Sequence, residues 1–280
     1  MHAAIVTVGD EILAGHTLDT NSHFVAGRLS KLGVHLVEKR SVPDTPARIQ
    51  GAVWELQERR DAALVITLGG LGPTHDDRTV AAVASLHGVP LVLHDETWER
   101  LSARYGGRHE AGMTEAPGIT AAARKMAMVP AGAEVFPNAA GAAPGLAVRR
   151  ALLSRPGDAW TVLLPGVPQE MHTLWEQHVE AFVLRITKGR AVQRHVAEIV
   201  FRGSESAAAQ IFAAIETKHA GVTVGSYPFW GERRVVLRVA GADAKEVEDA
   251  AVDLVADLKA AGHDAERMPG ATPLAGAPKA

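Results

Sequence analysis

Short, continuously apolar segments alternate with amphipathic ones along the first two thirds of the chain. The apolar segments have the length of β-strands covered on both faces, whereas the segments between them repeat their apolar residues every three or four positions, as helices do. The strands predicted from this pattern are residues 3–8, 35–42, 62–68 and 160–164. Strands separated by helices form right-handed crossovers, so the pattern predicts an α/β fold with a three-layer, doubly wound, mostly parallel sheet.

The ends of the predicted helices carry signals of their own. A first helix is expected to start at residues 19–21, where three side chains offer capping oxygens, and to stop at Gly33. A second helix follows the turn at residues 43–46, a third starts near Thr79, and a fourth covers about residues 168–187.

A change in composition near residues 188–190 predicts a domain boundary. The first domain, residues 1–188, would carry the parallel sheet. Residues 189–268 show the order strand, helix, strand, strand, helix, which predicts a second, smaller α+β domain. The tail at residues 269–280 is rich in proline, glycine and alanine and is predicted to be disordered.

Composition narrows the possible classes of function. The chain has 280 residues, of which 47% are hydrophobic and 22% charged, so two folded domains are expected. A net charge of -3 gives no general attraction to nucleic acid or to an anionic membrane. The absence of cysteine excludes disulfides, thiolate zinc sites and iron–sulfur clusters. Without a signal-peptide pattern or a membrane-spanning apolar run, a cytoplasmic protein is expected, with neither nucleic acid nor membrane as partner.

Four loops carry most of the candidate chemistry, and each follows a candidate strand. They are residues 9–15 with 19–21, 69–79, 137–145 and 164–171. Ligands of open α/β sheets bind outside the carboxyl ends of the strands. The loops are therefore expected to converge on one ligand, an anionic small molecule resembling a nucleotide.

The loop at residues 69–79 combines glycines, hydroxyls and carboxylates. The glycines Gly69, Gly70 and Gly72 would let a phosphate approach backbone amides, and the hydroxyls of Thr74 and Thr79 would add donors. Asp76 and Asp77 have the wrong sign for phosphate, so they suggest a divalent cation between protein and ligand. The alternative is an ordinary turn in which one of these aspartates caps the following helix.

The first loop offers further oxygen ligands at the same edge of the sheet. Gly9 ends the first strand, and Asp10 and Glu11 follow it, so a carboxylate here would complete a metal site or orient water. The alternative is helix capping or simple solvation. Asp19 and Asn21 would cap the next helix or contact a ligand hydroxyl.

The remaining two loops are lined by small residues. In the third loop these suit close packing against a flat ligand, or else a structural turn. In the fourth loop the Pro-Gly pair would wall a pocket, while Glu170 would stabilise the start of a helix through its dipole. The residues concerned are Asn138, Gly141, Gly145, Pro165 and Gly166. His75 is the one histidine within these loops, and no spacing typical of metalloproteases, Walker A loops or serine esterases is present.

Taken together, the four loops resemble those of CinA-type competence/damage-inducible proteins, whose N-terminal part belongs to the molybdopterin-binding-like superfamily. The matching stretches are GDEILAGHTLDTN, GGLGPTHDDRT, PNAAGAAPG and LPGVPQEM. In the second domain, RGSES and GSYPF resemble the KH-like module of that family. The resemblance covers nearly all of residues 1–268.

The resemblance implies an activity and assigns residues to it. CinA-type domains are associated with a metal-dependent pyrophosphatase activity on ADP-ribose, and a related domain of eukaryotic FAD synthases with FAD hydrolysis. It implies that Asp10, Asp76 and Asp77 hold divalent ions (Mg, Mn or Co) and act in catalysis. Gly70, Gly72 and Thr74 would surround phosphate. The resemblance also implies a homo-oligomer, with a dimer expected.

Two departures from the family pattern limit these expectations. A nicotinamide-nucleotide deamidase domain, common in full-length CinA proteins, is not expected in this chain. The KH-like module lacks a Gly-x-x-Gly loop and has Glu205 where a nucleic-acid backbone would bind, so no RNA binding is expected. The leading hypothesis is thus a metal-dependent hydrolase of ADP-ribose or a similar compound. The alternative is a molybdopterin-binding carrier or adenylyltransferase-like protein without hydrolysis.

Overall fold

The computed structural model describes residues 1–110, 121–187, 195–229 and 234–268. The chain separates into two compact units. The first spans Met1–Leu29 and Val34–Ala191, and the main part of the second starts at Val192. The sequence-based boundary at residues 188–190 and the tail at residues 269–280 lie outside the described residues.

The first unit is built on a six-stranded sheet with the strand order β2-β1-β3-β8-β7-β6. Strands β1, β2, β3 and β8 are parallel, whereas β7 runs antiparallel to both of its neighbours, β8 and β6. The strands are β1 (His2–Val8), β2 (His35–Val42), β3 (Leu64–Leu68), β6 (Glu134–Phe136), β7 (Gly145–Ala151) and β8 (Asp158–Leu164), and a separate antiparallel pair is formed by β4 (Leu91–Leu93) and β5 (Met128–Pro130).

Helices cover both faces of this sheet. They are α1 (Asp10–Leu13), α2 (Thr20–Lys31), α3 (Pro46–Arg59), α4 (Thr79–His87), α5 (Asp95–Glu110), α6 (Ala121–Lys125), α7 (Pro168–Leu174) and α8 (Glu180–Thr187). A π-helical turn at Trp175–Val179 joins α7 to α8. The helix predicted over residues 168–187 is therefore continuous but contains this wider turn.

Two adjacent residues of β8 show that the unit has three layers. The hydroxyl of Thr161 accepts a hydrogen bond from Gln57 of α3 and lies 3.1 Å from Nε2 of His87 on α4. The ring of Trp160 packs edge-on against Phe182 of α8, with centroids 5.0 Å apart. Neighbouring residues of a strand point to opposite faces, so α3 and α4 cover one face and α8 the other. The predicted three-layer α/β fold is confirmed.

The second unit is an α+β structure, as predicted. Its antiparallel sheet has the order β10-β11-β9-β12, and two helices pack on one face around a core that includes Ile199, Leu237 and Leu254. The elements are β9 (His195–Arg202), α9 (Glu205–Lys218), β10 (Val222–Phe229), β11 (Arg234–Gly241), α10 (Ala244–Ala260) and β12 (Asp264–Arg267). None of the described helices of either unit is long and apolar enough to cross a membrane.

The partly buried histidine at the end of α4, His87, makes the stability of the first unit depend on pH. Burial, together with the nearby charge of Arg150, lowers the pKa of His87 from 6.5 to about 4. Between these two pH values, His87 therefore binds a proton in the unfolded chain but not in the folded one. The free energy of unfolding should fall as the pH drops from about 6.5 to about 4, by up to about 3 kcal/mol at 1.36 kcal/mol per pKa unit.

Urea denaturation of the wild type and of His87→Gln at several pH values isolates this effect, because the other titrating groups are common to both proteins. The stability of the wild type relative to the variant should decrease steadily over this pH range. A difference that stays constant from pH 7.5 to pH 4 would show that His87 does not titrate as its burial requires.

Candidate functional site

The strand directions bring the ends of several strands to one edge of the sheet. The parallel strands β1, β2, β3 and β8 end there. Two successive reversals of direction, from β8 to β7 and from β7 to β6, make β6 parallel to β8, so β6 ends at the same edge. The loops that follow all five strands therefore meet, and these include the four loops selected from the sequence.

A cleft of about 360 Å³ opens between these loops. Its walls come from all four predicted loops, with one further wall from the turn after β2 and a floor of small and apolar side chains. The lining residues are Val8, Gly9, Glu11, Asp44, Gly69, Gly70, Leu71, Gly72, Pro73, Asp76, Asp77, Met126, Ala142, Ala143, Pro165, Gly166, Val167 and Glu170. This volume falls within the range typical of small-molecule sites.

Backbone conformation explains why glycines line the centre of the cleft. Gly69 and Gly70 have φ angles of 105° and 73°, which side chains other than hydrogen rarely allow. A Cβ at Gly69 would collide with the carbonyl oxygen of Val8, and one at Gly70 with the hydroxyl of Thr79. The loop therefore packs against the end of β1 and presents bare backbone to the cleft.

Several carboxylates lie on one side of the cleft, and one of them, Asp44, is not among the site residues predicted from the sequence. Asp44 follows β2, and its Oδ2 accepts a hydrogen bond of 3.0 Å from the backbone N–H of Asp10. Partial burial, together with the negative charges of Asp10, Glu11 and Asp76, raises the pKa of the Asp44 carboxyl. The hydrogen bond from Asp10 to Asp44, and the position of Asp44 and Asp76 in one cleft wall, bring together loops far apart in sequence.

The aspartates of the second loop stabilise the loop itself. The hydroxyl of Thr74 donates to both Asp76 and Asp77, and the backbone N–H of Thr74 donates to Asp77 Oδ2 at 2.8 Å. The hydrogen bond from Thr74 lowers the pKa of the Asp76 carboxyl. No side chain caps α4, whose N-cap position is Arg78. The alternative that Asp76 or Asp77 caps this helix is therefore wrong.

The third loop is held by a network of buried hydrogen bonds. The side-chain oxygen of Asn138 accepts from the backbone of Ala140 and Gly141, and its amide group donates to Ala143 O and to Glu170. From α5, Arg100 donates to three carbonyl oxygens of the same loop at 2.9–3.0 Å. The loop is thus fixed in place by side chains on both of its sides.

A smaller pocket of about 100 Å³ lies beside the cleft and shares Val8, Glu11 and Gly166 with it. Asp19 lines this pocket and also caps α2, because its Oδ1 accepts from the N–H of Ser22 at 2.9 Å. Asn21 is buried and does not cap the helix, since its amide group donates to Gly166 O at 2.7 Å. Capping is confirmed for Asp19 only.

Four residues expected to contact the ligand have structural positions instead. Thr79 is fully buried and its hydroxyl donates to Gly69 O, so it braces the glycine loop. The polar atoms of Asn138 are occupied by its own loop and by Glu170 of α7. Gly141 gives room to the Glu170 carboxyl, and Gly145 is packed in β7 against Leu164, Phe136 and Leu174. These four predictions are corrected.

The other predicted residues lie in or at the cleft. Those that line the cleft or its side pocket are Gly9, Glu11, Asp19, Asn21, Gly69, Gly70, Gly72, Asp76, Asp77, Pro165 and Gly166. Asp10 and Thr74 are exposed and contact lining residues through hydrogen bonds. Glu170, interpreted from the sequence as a partner of the helix dipole, is a wall residue as well.

The carboxylates do not by themselves form a metal centre. Within the described part of the chain, no group of three or more His, Asp or Glu side chains is placed to hold one ion. The proposed ligands Asp10, Asp76 and Asp77 lie in one region, but Asp76 and Asp77 each direct one oxygen to the hydroxyl of Thr74. No reaction step is therefore assigned to a metal ion.

Comparison with known proteins places this architecture in a family. The family model described as "Probable molybdopterin binding domain" matches residues 4–185, which contain every element of the cleft. A CinA-like protein of Desulfovibrio desulfuricans is 37% identical over 248 residues, which are 88% of this chain and 54% of that protein. This chain belongs to the CinA-type proteins.

Further matches extend to the remainder of this CinA-type chain. The family model "FAD synthase, middle domain" matches residues 193–265, which is the second unit. Protein PAE0875 of Pyrobaculum aerophilum is 35% identical over 260 residues, which cover 91% of each chain. The CinA-type chain spans about half the length of the CinA-like proteins of Desulfovibrio desulfuricans and Cyanothece that it matches.

A solved structure supports the fold of the first unit in this CinA-type protein. The crystal structure of the protein CinA from Thermoplasma acidophilum, described as having unknown function, superposes with a TM-score of 0.54 and 30% sequence identity. The superposition covers 65% of this chain and 98% of that one. The first unit thus has the fold of an established CinA structure.

Proposed function

We propose that the cleft of the first unit binds a molybdopterin-type ligand, a pterin that carries a phosphate group. The observation that carries the proposal is the convergence of loops from five strands on a cleft of about 360 Å³ walled by glycine backbone. The match of residues 4–185 to a molybdopterin-binding domain supports the same ligand class.

The lining of the cleft suits the two parts of such a ligand. Met126, Ala142 and Ala143 offer a smooth apolar surface for a flat ring. Carboxylates such as Asp44 and Glu11 accept hydrogen bonds from ring N–H groups. The same carboxylates repel a bare phosphate, so the phosphate group is expected to enter the cleft together with a cation.

The second candidate is hydrolysis of a nucleoside-diphosphate linkage, such as that in ADP-ribose, supported by Mg²⁺, Mn²⁺ or Co²⁺. Burial, together with the negative charges of the neighbouring carboxylates, raises the pKa of Asp44 and favours this candidate, because a divalent cation would relieve the repulsion among these carboxylates. The absence of a three-residue metal group in the described residues counts against it.

One experiment separates the two candidates. The protein is titrated with a fluorescent pterin phosphate, and in parallel it is incubated with ADP-ribose, FAD or NAD in the presence of Mg²⁺, Mn²⁺, Co²⁺ or a chelator. Saturable pterin binding without release of AMP is the expected result. AMP released only with metal would favour the hydrolase, and a lack of both binding and release would contradict both candidates.

A substitution at the cleft provides the matched test. With Mg²⁺ present, Asp44→Asn keeps an oxygen that accepts from Asp10 but removes the charge that would attract the cation accompanying the phosphate, so the affinity for the pterin phosphate should fall roughly 10-fold. Asp95→Asn, which changes an exposed carboxylate at the start of α5, should leave the affinity unchanged. Equal affinities of both variants and the wild type would remove Asp44 from the site.

A further inference from the structure

The small pocket beside the cleft has an unusual set of polar groups. It lies between the end of β1, the start of α2 and the loop after β8, and its volume is about 100 Å³. Its lining residues are Thr7, Val8, Glu11, Ile12, Thr17, Leu18, Asp19, Thr20, Asn21, Leu68, Gly166 and Pro168. Two of these residues, Asp19 and Asn21, determine which chemical groups the pocket accepts.

The orientation of the Asn21 amide is fixed by its neighbour. Its nitrogen donates a hydrogen bond of 2.7 Å to Gly166 O, and a carbonyl oxygen in that place would be repelled. The side-chain oxygen is therefore the free atom. It has no hydrogen-bond partner in the part of the chain that the structure describes, although the residue is only 8% exposed. A buried acceptor without a donor costs about 1–3 kcal/mol, so a donor group from a ligand stabilises this site.

Asp19 adds a second acceptor to the same pocket. Its Oδ2 accepts from the hydroxyl of Thr7 at 2.7 Å, and its Oδ1 accepts from Ser22 N–H. Partial burial raises the pKa of Asp19, but the hydrogen bonds from Ser22 and Thr7 outweigh it and keep the pKa lowered. The carboxylate is therefore charged near neutral pH and only accepts. Since the Thr7 hydroxyl already donates to it, Asp19 and the neighbouring oxygen of Asn21 form an acceptor pair on one side of the pocket.

We propose that this pocket binds a ring edge with adjacent N–H and NH₂ donors, such as the 2-amino-4-oxopyrimidine edge of a pterin. Asp19 and the free oxygen of Asn21 would accept one hydrogen bond each, and the ring would extend into the cleft past Gly166. Leu18, which is 82% exposed at the rim, gives an apolar contact for the ring face. The inference rests on the proposed function and adds that the pyrimidine edge of the pterin lies in the small pocket, with the remainder of the ligand in the cleft.

Two probes that differ at this edge alone test the inference. The pterin phosphate has an amino group at ring position 2, and the matching lumazine phosphate has a carbonyl oxygen there, which faces acceptors and is repelled. The wild type should bind the pterin roughly 10- to 100-fold more tightly, the range by which a hydrogen-bonding site rejects a mismatched group. Fluorescence titration gives both dissociation constants.

Two variants assign the discrimination to the pocket. Asn21→Leu removes the free acceptor, and Asp19→Asn replaces an acceptor with a group that can donate while its oxygen still caps α2. Each should reduce the preference for the pterin to within about threefold, chiefly by weakening pterin binding. Asp19→Asn keeps the test valid if Asn21→Leu does not fold, because the cap of α2 is retained.

Gln50→Leu is the matched control, since Gln50 also donates its amide group to a backbone carbonyl, that of Ala82, but lies on α3 away from the pocket. It should keep the full discrimination of the wild type. Unchanged discrimination in Asn21→Leu and Asp19→Asn would overturn the inference while leaving the proposed function intact. Failure of the wild type to bind either probe would instead contradict the proposed function.

Discussion

Gly69→Ala is expected to destabilise the first unit by about 4 kcal/mol or more and to abolish ligand binding in the cleft. Gly69 has a φ of 105°, and its backbone lies so close to β1 that an added Cβ would collide with the carbonyl oxygen of Val8. The obstacle is main chain, so no side-chain rotation relieves it. The backbone must shift, and with it the hydrogen bond from Gly69 N–H to Leu164 O.

Gly132→Ala is the control that separates crowding from backbone strain. Gly132 also has a positive φ, 77°, but an added Cβ there would meet no atom within 4 Å. It should cost about 1–2 kcal/mol, the strain of a left-handed conformation alone. Urea denaturation measures both variants, and equal destabilisation by the two would show that the close approach of Gly69 to β1 has no energetic weight.

The second large effect is expected from Arg100→Met. The guanidinium of Arg100 bonds the carbonyls of Asn138, Gly141 and Ala142, of which the first two belong to buried residues. Methionine retains much of the apolar stem but removes the donor to the carbonyls of Asn138 and Ala142, while Gly141 O keeps only the hydrogen bond from Arg104. We expect a loss of about 2–3 kcal/mol in the free energy of unfolding and at least roughly 10-fold weaker binding in the cleft, whose wall includes Ala142.

Arg104→Met provides the comparison, because Arg104 lies one turn further along α5 and, among the described residues, donates one hydrogen bond, to Gly141 O. It should cost about 1 kcal/mol and change the affinity little. Thermal or urea unfolding and the pterin titration are measured on both variants. If Arg104→Met weakens binding as much as Arg100→Met, the three-carbonyl contact is not what positions the loop.

Much of the site could be predicted because it depends on patterns within short segments of the sequence. Buried strands that end in Gly9 or in Gly69 have a recognisable pattern, and parallel strands must end at the same edge. Asp76, Asp77 and Gly166 were therefore placed together without coordinates. The same rule applies to Asp44, because it follows β2, but the prolines around it predict only a turn.

The rest of the site depends on contacts that a local pattern does not reveal. Strand β6 has three residues and β7 ends in two arginines and an alanine, so neither has the apolar length that marks the central strands. The small residues of its loop suggest that Asn138 contacts a ligand. Its amide group instead donates hydrogen bonds to Glu170 and to Ala143 O. Arg100 acts from a helix 38 residues away, and nothing in its own segment indicates this role.

The edge position of β6 has a consequence for how the cleft exchanges its contents. This strand carries the third loop, is only three residues long and pairs, among the described strands, with β7 alone. Separating β6 from β7 breaks few hydrogen bonds, whereas separating the central parallel strands would unfold the unit. The third loop, a wall of the cleft, is thus attached to the sheet through a short edge strand that frays easily. A molecule bound against this wall stabilises the paired state of β6, and this stabilisation contributes to the time that the molecule stays bound.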